Sequence, residues 1–320
     1  MRIRMITPAA PGSRSGNRAT AERWARFLRA GGHRVDITTD YEAEPADAMV
    51  ALHAWRSAGA AARFRDRHPD RPLVVALTGT DLYRFQESDP DTTHRTMGLA
   101  DRLVAIHEAA ADDIPARFRD RLTVIIQSAT PPPGPRQPVR GEFRALVVGH
   151  LRHEKDPFRP ARAARRLPRD SRVVVHHFGL APDAEWAEAA RAEMAENPRY
   201  RWHGEVPRWR VRRALSRAHL LVHPSRMEGG ANAVGEAIVA GVPVLASAIP
   251  GNTGLLGRDY PGRFPVEDTA ALADLLRRTE GDPDFYATLT GHCRQRAPLF
   301  APEREAAAWR SLMEGLHRAP

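Results

Sequence analysis

The 320 residues carry 48 Lys+Arg against 39 Asp+Glu, a formal charge of +9 and a pI near 10.7, with 42% hydrophobic residues. That apolar fraction fills one large or two ordinary cores, and the single cysteine, Cys293, excludes an internal disulfide and a cysteine-built zinc site. No long apolar span is present, and Arg23, Arg26 and Arg29 interrupt the first apolar helix, so no membrane span or signal peptide is read and a cytoplasmic protein is expected.

A basic chain raises the question of nucleic acid. The arginines, however, are spread along the whole length with no basic tail, finger pattern or aromatic-plus-basic signature. Solvated helix faces account for most of them, so neither a nucleic-acid nor a membrane partner is expected. Of the 48 cationic residues only Lys155 is lysine. A lone ammonium among guanidinium groups points to a site that wants a compact charge rather than a fork.

The elements follow in order. Ile3–Ile6 reads as a strand, residues 7–17 as a glycine–proline loop, and Thr20–Ala30 as an amphipathic helix stopped by Gly31-Gly32. Apolar runs at Val35–Ile37, Ala48–Leu52, Leu73–Leu77, Leu103–Ile106 and Leu122–Ile126 read as further strands. Asp89-Pro90-Asp91 reads as a turn. Pro131–Gln137, PPPGPRQ, reads as a linker, after which the pattern restarts with strands at Phe143–Val148, Val173–Phe178 and Tyr200–Trp202. Helices are expected through Arg166, over Asp183–Glu196, Arg208–Ala218, Thr269–Thr279 and Asp284–Arg294, and over Pro302–His317. Alternating apolar strands and helices imply parallel sheets covered on both faces. The boundaries are set at 1–135, 136–300 and a C-terminal helix at 301–320 that packs back on the first domain, with a ligand cleft between the two domains.

The stretch 220–247, LLVHPSRMEGGANAVGEAIVAGVPVLAS, is a strand, a glycine loop, a helix from about Ala231 and a second strand. Open amides at a helix N-terminus beside Gly229 and Gly230 suit a phosphate. Glu236, inside the helix, has the two acceptors that a vicinal diol needs, and Glu228 lies in the loop where α/β sheets bind ligands. The plainer alternative is a turn whose carboxylates serve the helix dipole. Likewise His176-His177 are adjacent on a strand and point to opposite sides, which argues against a metal pair.

With Gly149-x5-Lys155 opening the second half and Glu228-x7-Glu236 late in it, the sequence resembles the large glycosyltransferase family of GT-B fold commonly numbered four. That resemblance implies an α/β protein of two Rossmann-like domains whose parallel sheets face each other across a cleft. It also implies a nucleotide-sugar donor: Glu236 on the ribose, Lys155 on the diphosphate, the amides of Gly229, Gly230, Ala231 and Asn232 on phosphate and sugar, and Glu228 towards the transferred sugar. Within that family, Gly16-Asn17-Arg18 with Thr20-Ala21 and Arg23-Trp24, LTGTDLYR at 77–84, GHLRHEKDPF at 149–158, HPSRMEGGAN at 223–232 and LLGRDYPGRFPV at 255–266 resemble the selenosugar synthases of selenoneine biosynthesis. These join selenophosphate to the sugar of a UDP-sugar through a selenium–carbon bond.

One departure concerns the diphosphate clamp. The wider family places arginine directly after the glycine; here His150 stands there, with Arg152 two residues on and on the same face. Lys155 and Arg152, helped by the dipole of the helix from Ala231, are expected to hold the departing diphosphate without a metal. An anionic acceptor needs a cationic pocket and positioning rather than a base. Candidates for it are Arg14, Gly16, Asn17, Arg18, His53, Arg56, Thr80 and Asp81. Each arginine is otherwise a surface residue, His53 and His107 packed histidines or acid–base groups, and Asp81 a turn or helix cap. An ordinary sugar or alcohol acceptor, and an epimerase, are the competing enzyme readings.

Overall fold

The computed structural model describes residues 1–13 and 15–317. By contact the chain divides into a first unit of Met1–Ser128, Glu228–Gly230 and Ala301–Pro320, and a second of Ala129–Met227 and Ala231–Phe300.

The first unit holds β1 (Arg2–Ile6), α1 (Gly16–Ala30), β2 (Arg34–Thr38), β3 (Ala48–Leu52), α2 (Ala58–Arg67), β4 (Leu73–Leu77), α3 (Gln86–Ser88), α4 (Pro90–Leu99), β5 (Arg102–Ala105) and β6 (Leu122–Val124). The strands form one parallel sheet in the order β2-β1-β3-β4-β5-β6. Period-two alternation sorts their side chains onto two faces. Met49, Ala51, Val75 and Leu77 join Phe64 of α2 and Met97 of α4, whereas Val50, Leu52, Val74 and Ala76 join Trp24 of α1. The second face is completed by the C-terminal helix Pro302–His317, whose Trp309, Leu312 and Met313 enter the same cluster. Trp309 lies 4.8 Å from Trp24, ring centre to ring centre, and the Trp24 indole N–H donates to the buried Glu305 at 2.8 Å. The other Glu305 oxygen accepts the Ser128 amide at 2.6 Å. A buried carboxylate with two N–H donors is a satisfied one.

In the second unit follow β7 (Phe143–Val148), α5 (Arg159–Arg165), β8 (Val173–Phe178), α6 (Ala184–Glu196), β9 (Tyr200–Trp202), α7 (Arg208–Ser216), β10 (Leu220–His223), α8 (Asn232–Val239), β11 (Val244–Ser247), α9 (Pro250–Leu256), β12 (Arg263–Phe264), α10 (Thr269–Gly281) and α11 (Pro283–Arg296). The sheet order is β12-β11-β10-β7-β8-β9, again all parallel. From β7 the chain winds one way through β8 and β9, and from β10 it winds the other way. The β7–β10 boundary is therefore the switch point, where α/β sheets open a crevice at the strands' carboxyl ends. The irregular segment 131–137 is fastened to this unit: the Gln137 amide donates to Ser216 at 2.8 Å and Arg136 to the Ala218 carbonyl at 2.9 Å.

Several sequence expectations need correcting. Helix α1 starts at Gly16 rather than Thr20, because Ser15 caps it by accepting the Arg18 amide, so Gly16, Asn17 and Arg18 form its first turn instead of loop. Asp89-Pro90-Asp91 is not a turn but the start of α4, with Asp89 accepting the Thr92 amide and Pro90 in the first turn. The helix of the 220–247 stretch begins at Asn232, β6 ends at Val124, and α9 and β12 were not foreseen.

Candidate functional site

In the second unit, β7 ends at Val148 and Gly149 enters the switch-point crevice, which is lined by Gly149, Lys155, His177, His223 and Ser225. The loop then turns at His153–Lys155, with the Lys155 amide donating to the Arg152 carbonyl at 2.9 Å. The Lys155 stem lies over Gly149: a Cβ added there would sit 3.8 Å from Lys155 Cδ. His150 accepts the Leu180 amide on Nδ1 at 3.1 Å. Burial lowers its pKa, and the neighbouring Arg152 and Lys155 lower it further against Glu205. His150 is thus a neutral imidazole beside two cations, and the positive charge of this loop resides on Arg152 and Lys155.

Asp156 holds the turn in place. It has φ 44°, is 5% exposed, and accepts from Arg159 Nε at 2.7 Å. Arg226 approaches it at 3.8 Å, pairs with Glu267 at 2.7 Å, and donates its own amide to the Glu154 carbonyl at 2.8 Å. The Lys155 turn is therefore clamped to the segment after β10 by buried and half-buried charge. His177 performs a similar service behind it. Its Nε2 lies 2.9 Å from the Gly149 carbonyl, which can only accept, so Nε2 carries the proton and Nδ1 accepts from the Tyr200 hydroxyl at 2.9 Å. Burial pushes this histidine down to about 4, which keeps it neutral. Burial and Glu193 raise Tyr200, so it stays a donor.

Glu236 lies on α8, with Arg208 Nη2 2.7 Å from its Oε1. Arg208 is 63% exposed, so this pair is a weak, solvent-screened one that a ligand hydroxyl can displace. Helix α8 is preceded by Ala231 as its N-cap, with no side-chain cap and no acid in its first turn, which leaves the amide end of its dipole positive. Gly149, His150, Arg152 and Lys155 thus share one loop, and Ala231, Asn232 and Glu236 share one helix start.

Gly229 and Gly230 belong by contact to the first unit, and the protein itself occupies the space that their missing side chains leave. A Cβ on Gly229 would collide with the Thr78 carbonyl and come within 2.5 Å of the Gly79 amide nitrogen; one on Gly230, at φ 153°, would meet Ile106 Cγ1 at 2.8 Å. Close backbone packing therefore accounts for this glycine pair, whatever ligand also approaches. Glu228, beside them, is half-buried.

Thr80, Asp81 and His53 form one network in the same unit. Asp81 is fully buried, and its carboxylate accepts the amides of Ala54 at 2.9 Å, Thr78 at 2.9 Å and Gly79 at 2.8 Å. Those bonds hold together the loops after β3 and β4. His53 has φ 76°, a strained value for a histidine. It takes the Arg56 amide on Nδ1 at 3.1 Å, so in its neutral form Nε2–H donates to Thr80 Oγ1 at 2.8 Å. Burial lowers its pKa, opposed by Asp81 and assisted by Arg56, whose side chain is exposed. His107 is buried as well, donating from Nε2 to the Tyr83 hydroxyl at 2.7 Å while that hydroxyl donates to Asp113 at 3.1 Å. Arg18, in the first turn of α1, pairs with Glu22 at 2.7 Å through Nε, while its Nη1 is buried with no hydrogen-bond partner among the described residues. Gly16 and Asn17 precede it in that turn, and Arg14 lies outside the described residues.

His177, Asp156 and Arg226 were missed as site residues. Asp156 and Arg226 stand inside GHLRHEKDPF and HPSRMEGGAN, where the eye goes to the glycines, and only the fold shows that they join the two motifs. No helix among the described residues is long and apolar enough to cross a membrane, and no three His, Cys, Asp or Glu side chains converge among them.

Comparison with known proteins agrees with this geometry. Over 258 residues the chain is 26% identical to the 2-deoxystreptamine glucosyltransferase of Streptomyces kanamyceticus, covering 78% of this chain and spanning 62% of the length of that relative. A sucrose-phosphate synthase from Thermosynechococcus elongatus superposes with a TM-score of 0.79 at 18% identity over 100% of both chains. HepE of Anabaena, solved with UDP, gives 0.77 at 15% over 100% of both, and its UDP-glucose complex 0.76 at 14% over 98% and 100%. Such low identities speak for the fold, which is α/β of the GT-B type with two Rossmann-like parallel sheets. The family described as glycosyl transferases group 1 matches residues 135–296, just over half of the chain and nearly all of the second unit. The chain belongs to the group 1 glycosyltransferases.

Proposed function

We propose that this protein transfers the sugar of a UDP-sugar, UDP-N-acetylglucosamine or UDP-glucose, to selenophosphate. The glycosyl C–O bond breaks with its electron pair going to the β-phosphate, and selenium supplies the pair for a new carbon–selenium bond. The phosphoryl group stays on selenium in this step, and UDP leaves. Lys155 and Arg152 neutralise the diphosphate, the start of α8 from Ala231 and Asn232 assists, Glu236 holds the ribose, and Glu228 faces the sugar. With those cations in place no metal is needed, so EDTA should leave turnover unchanged.

The observation that carries the donor half is the clamped loop of Arg152 and Lys155 at the switch point of the second sheet. HepE, of the same fold, has been solved with UDP and with UDP-glucose. Two features of the first unit support an anionic acceptor. The first turn of α1 has no acid and carries the orphaned Arg18 Nη1. The ring of His53 and the carboxylate of Asp81 are both taken up by protein hydrogen bonds, which leaves neither as a free base for an alcohol. The selenium itself rests on the motifs that resemble selenosugar synthases.

A second reading is favoured by the 2-deoxystreptamine glucosyltransferase relative: the same donor chemistry with a sugar or small-alcohol acceptor. Purified protein incubated with each UDP-sugar, and with either selenophosphate or alcohols, separates the two by mass spectrometry. A selenium-containing sugar is expected. Glycosides of the alcohols alone would establish the second reading, and UDP-sugar isomerisation without any acceptor would overturn both.

A further inference from the structure

A groove of the second unit lies at the opposite end of its strands from the Lys155 loop. It measures about 680 Å³ and is walled by the segments leading into β7, β8 and β9. Strand β7, six residues long, separates the two ends by ~20 Å.

Its composition is out of proportion to that of the chain. Six arginines line it (Arg140, Arg144, Arg172, Arg199, Arg201 and Arg217) against one carboxylate, Glu142, whereas the whole sequence holds 48 cations to 39 acids. The one acid is already committed: Arg144 approaches it at 2.5 Å, His176 at 3.1 Å and Arg201 at 3.8 Å. Arg199 is a structural member, donating to the backbone carbonyls of Pro168, Arg169, Ser171 and Val173. That leaves Arg140, Arg172, Arg201 and Arg217, all exposed, around the rim. Among the described residues Arg140 and Arg217 have no side-chain hydrogen bond or ion pair, and Arg172 has only a 3.7 Å approach to Glu280. Arg140 and Arg217, lining one groove without a counter-charge of their own, gain from an anion that lies between them. The valines at 139, 173 and 174 and Pro198 give the groove apolar wall between the charges.

We propose that this groove binds a small molecule bearing two or more phosphate groups, at a site separate from the nucleotide-sugar site. Forked guanidinium groups match phosphate oxygens two at a time. The volume falls in the range of small-ligand pockets, and the segments leading into three adjacent strands bring the charges to one place. The proposal is independent of the donor and the acceptor of the transfer reaction.

The test uses the full chain carrying Lys155→Ala and Arg152→Ala, so that phosphate binding at the donor loop is removed. Titration calorimetry with inorganic tripolyphosphate in about 50 mM salt should still show one binding event, weakened at higher salt. Adding Arg140→Gln, Arg172→Gln and Arg217→Gln should lower that affinity by at least ~30-fold, each guanidinium contact being a charge-assisted pair. The single Arg217→Glu, at an exposed side chain, keeps the test valid should the multiple variant fold poorly; it should lower affinity ~10-fold with an unchanged thermal midpoint. Unchanged affinity in both variants overturns the proposal. So does tighter binding of a single-stranded RNA that the same substitutions abolish, which would make the groove a nucleic-acid surface.

Discussion

The two fully buried histidines that the structure keeps neutral make acid stability a direct test of the hydrogen-bond assignments. His177 in the second unit and His107 in the first are both pushed by burial from an ordinary value near 6.5 down to about 4. A folded pKa below the unfolded one means that the unfolded chain binds the proton first. Stability is therefore whole above pH 6.5, declines as pH falls towards 4, and is fully lost from this source below it. The complete shift corresponds to about 3 kcal/mol per histidine, and at pH 5 the part already lost is about 2 kcal/mol each. Against a typical total of roughly 5–15 kcal/mol this is a visible fraction. The substitutions His177→Gln and His107→Gln keep an N–H for the Gly149 carbonyl and the Tyr83 hydroxyl respectively, while removing the titration. Urea unfolding at pH 8, 6.5 and 5 (conditions bracketing the ordinary value of 6.5 and staying above the folded one) is the assay, followed by tryptophan fluorescence and far-UV dichroism, since two units can unfold in two steps. Each variant should lose less stability than the parent between pH 8 and pH 5, by about 2 kcal/mol, in the transition of its own unit. Parallel pH slopes in parent and variants would refute the assigned protonation states.

Three further outcomes follow from particular contacts. On the role proposed for Lys155 at the departing diphosphate, Lys155→Ala should lower turnover by ~10²–10³ with an unchanged thermal midpoint, as read from UDP release. Glu305→Ala strands two buried donors, the Trp24 indole and the Ser128 amide, and should destabilise the first unit by about 2–5 kcal/mol; Glu305→Gln, which keeps the two acceptor lone pairs on one oxygen, should lie between. Asp156→Ala removes the buried carboxylate that Arg159 and Arg226 share and should weaken transfer by at least ~10-fold while Lys155 itself is intact. A wild-type rate in that variant would show that the clamp does not position the lysine.

Much of the fold was legible because its strands are apolar runs of uniform character and its helices are amphipathic. The C-terminal helix Pro302–His317 matches its expected limits to the residue, since proline opens it and the apolar spacing of Trp309, Leu312 and Met313 continues through it. What failed was local. Gly16-Asn17-Arg18 looked like loop because glycine and asparagine are poor helix formers, but Ser15 outweighs them as a cap. Asp89-Pro90-Asp91 has the composition of a turn and equally that of a capped helix start, and only the apolar Met97 and Leu99 beyond it distinguish the two. The lone lysine and the Glu228–Glu236 spacing could be read from the sequence. The supports of Lys155 could not, because Asp156, His177 and Arg226 are brought together by strands 20 to 70 positions apart.

The glycine pair at 229 and 230 shows how one signal can carry two causes. In sequence it marks room for a phosphate at a helix start; in the folded first unit the same positions are filled by Thr78, Gly79 and Ile106. Gly229→Ala therefore discriminates between them. Overpacking against backbone that has no flexible end to yield should lower the thermal stability by about 2–3 kcal/mol even with no ligand present. A ligand-approach role alone would leave the free protein's melting unchanged and raise only the KM for the donor. The collision is with a carbonyl and an amide nitrogen rather than a side chain, so the first result is expected.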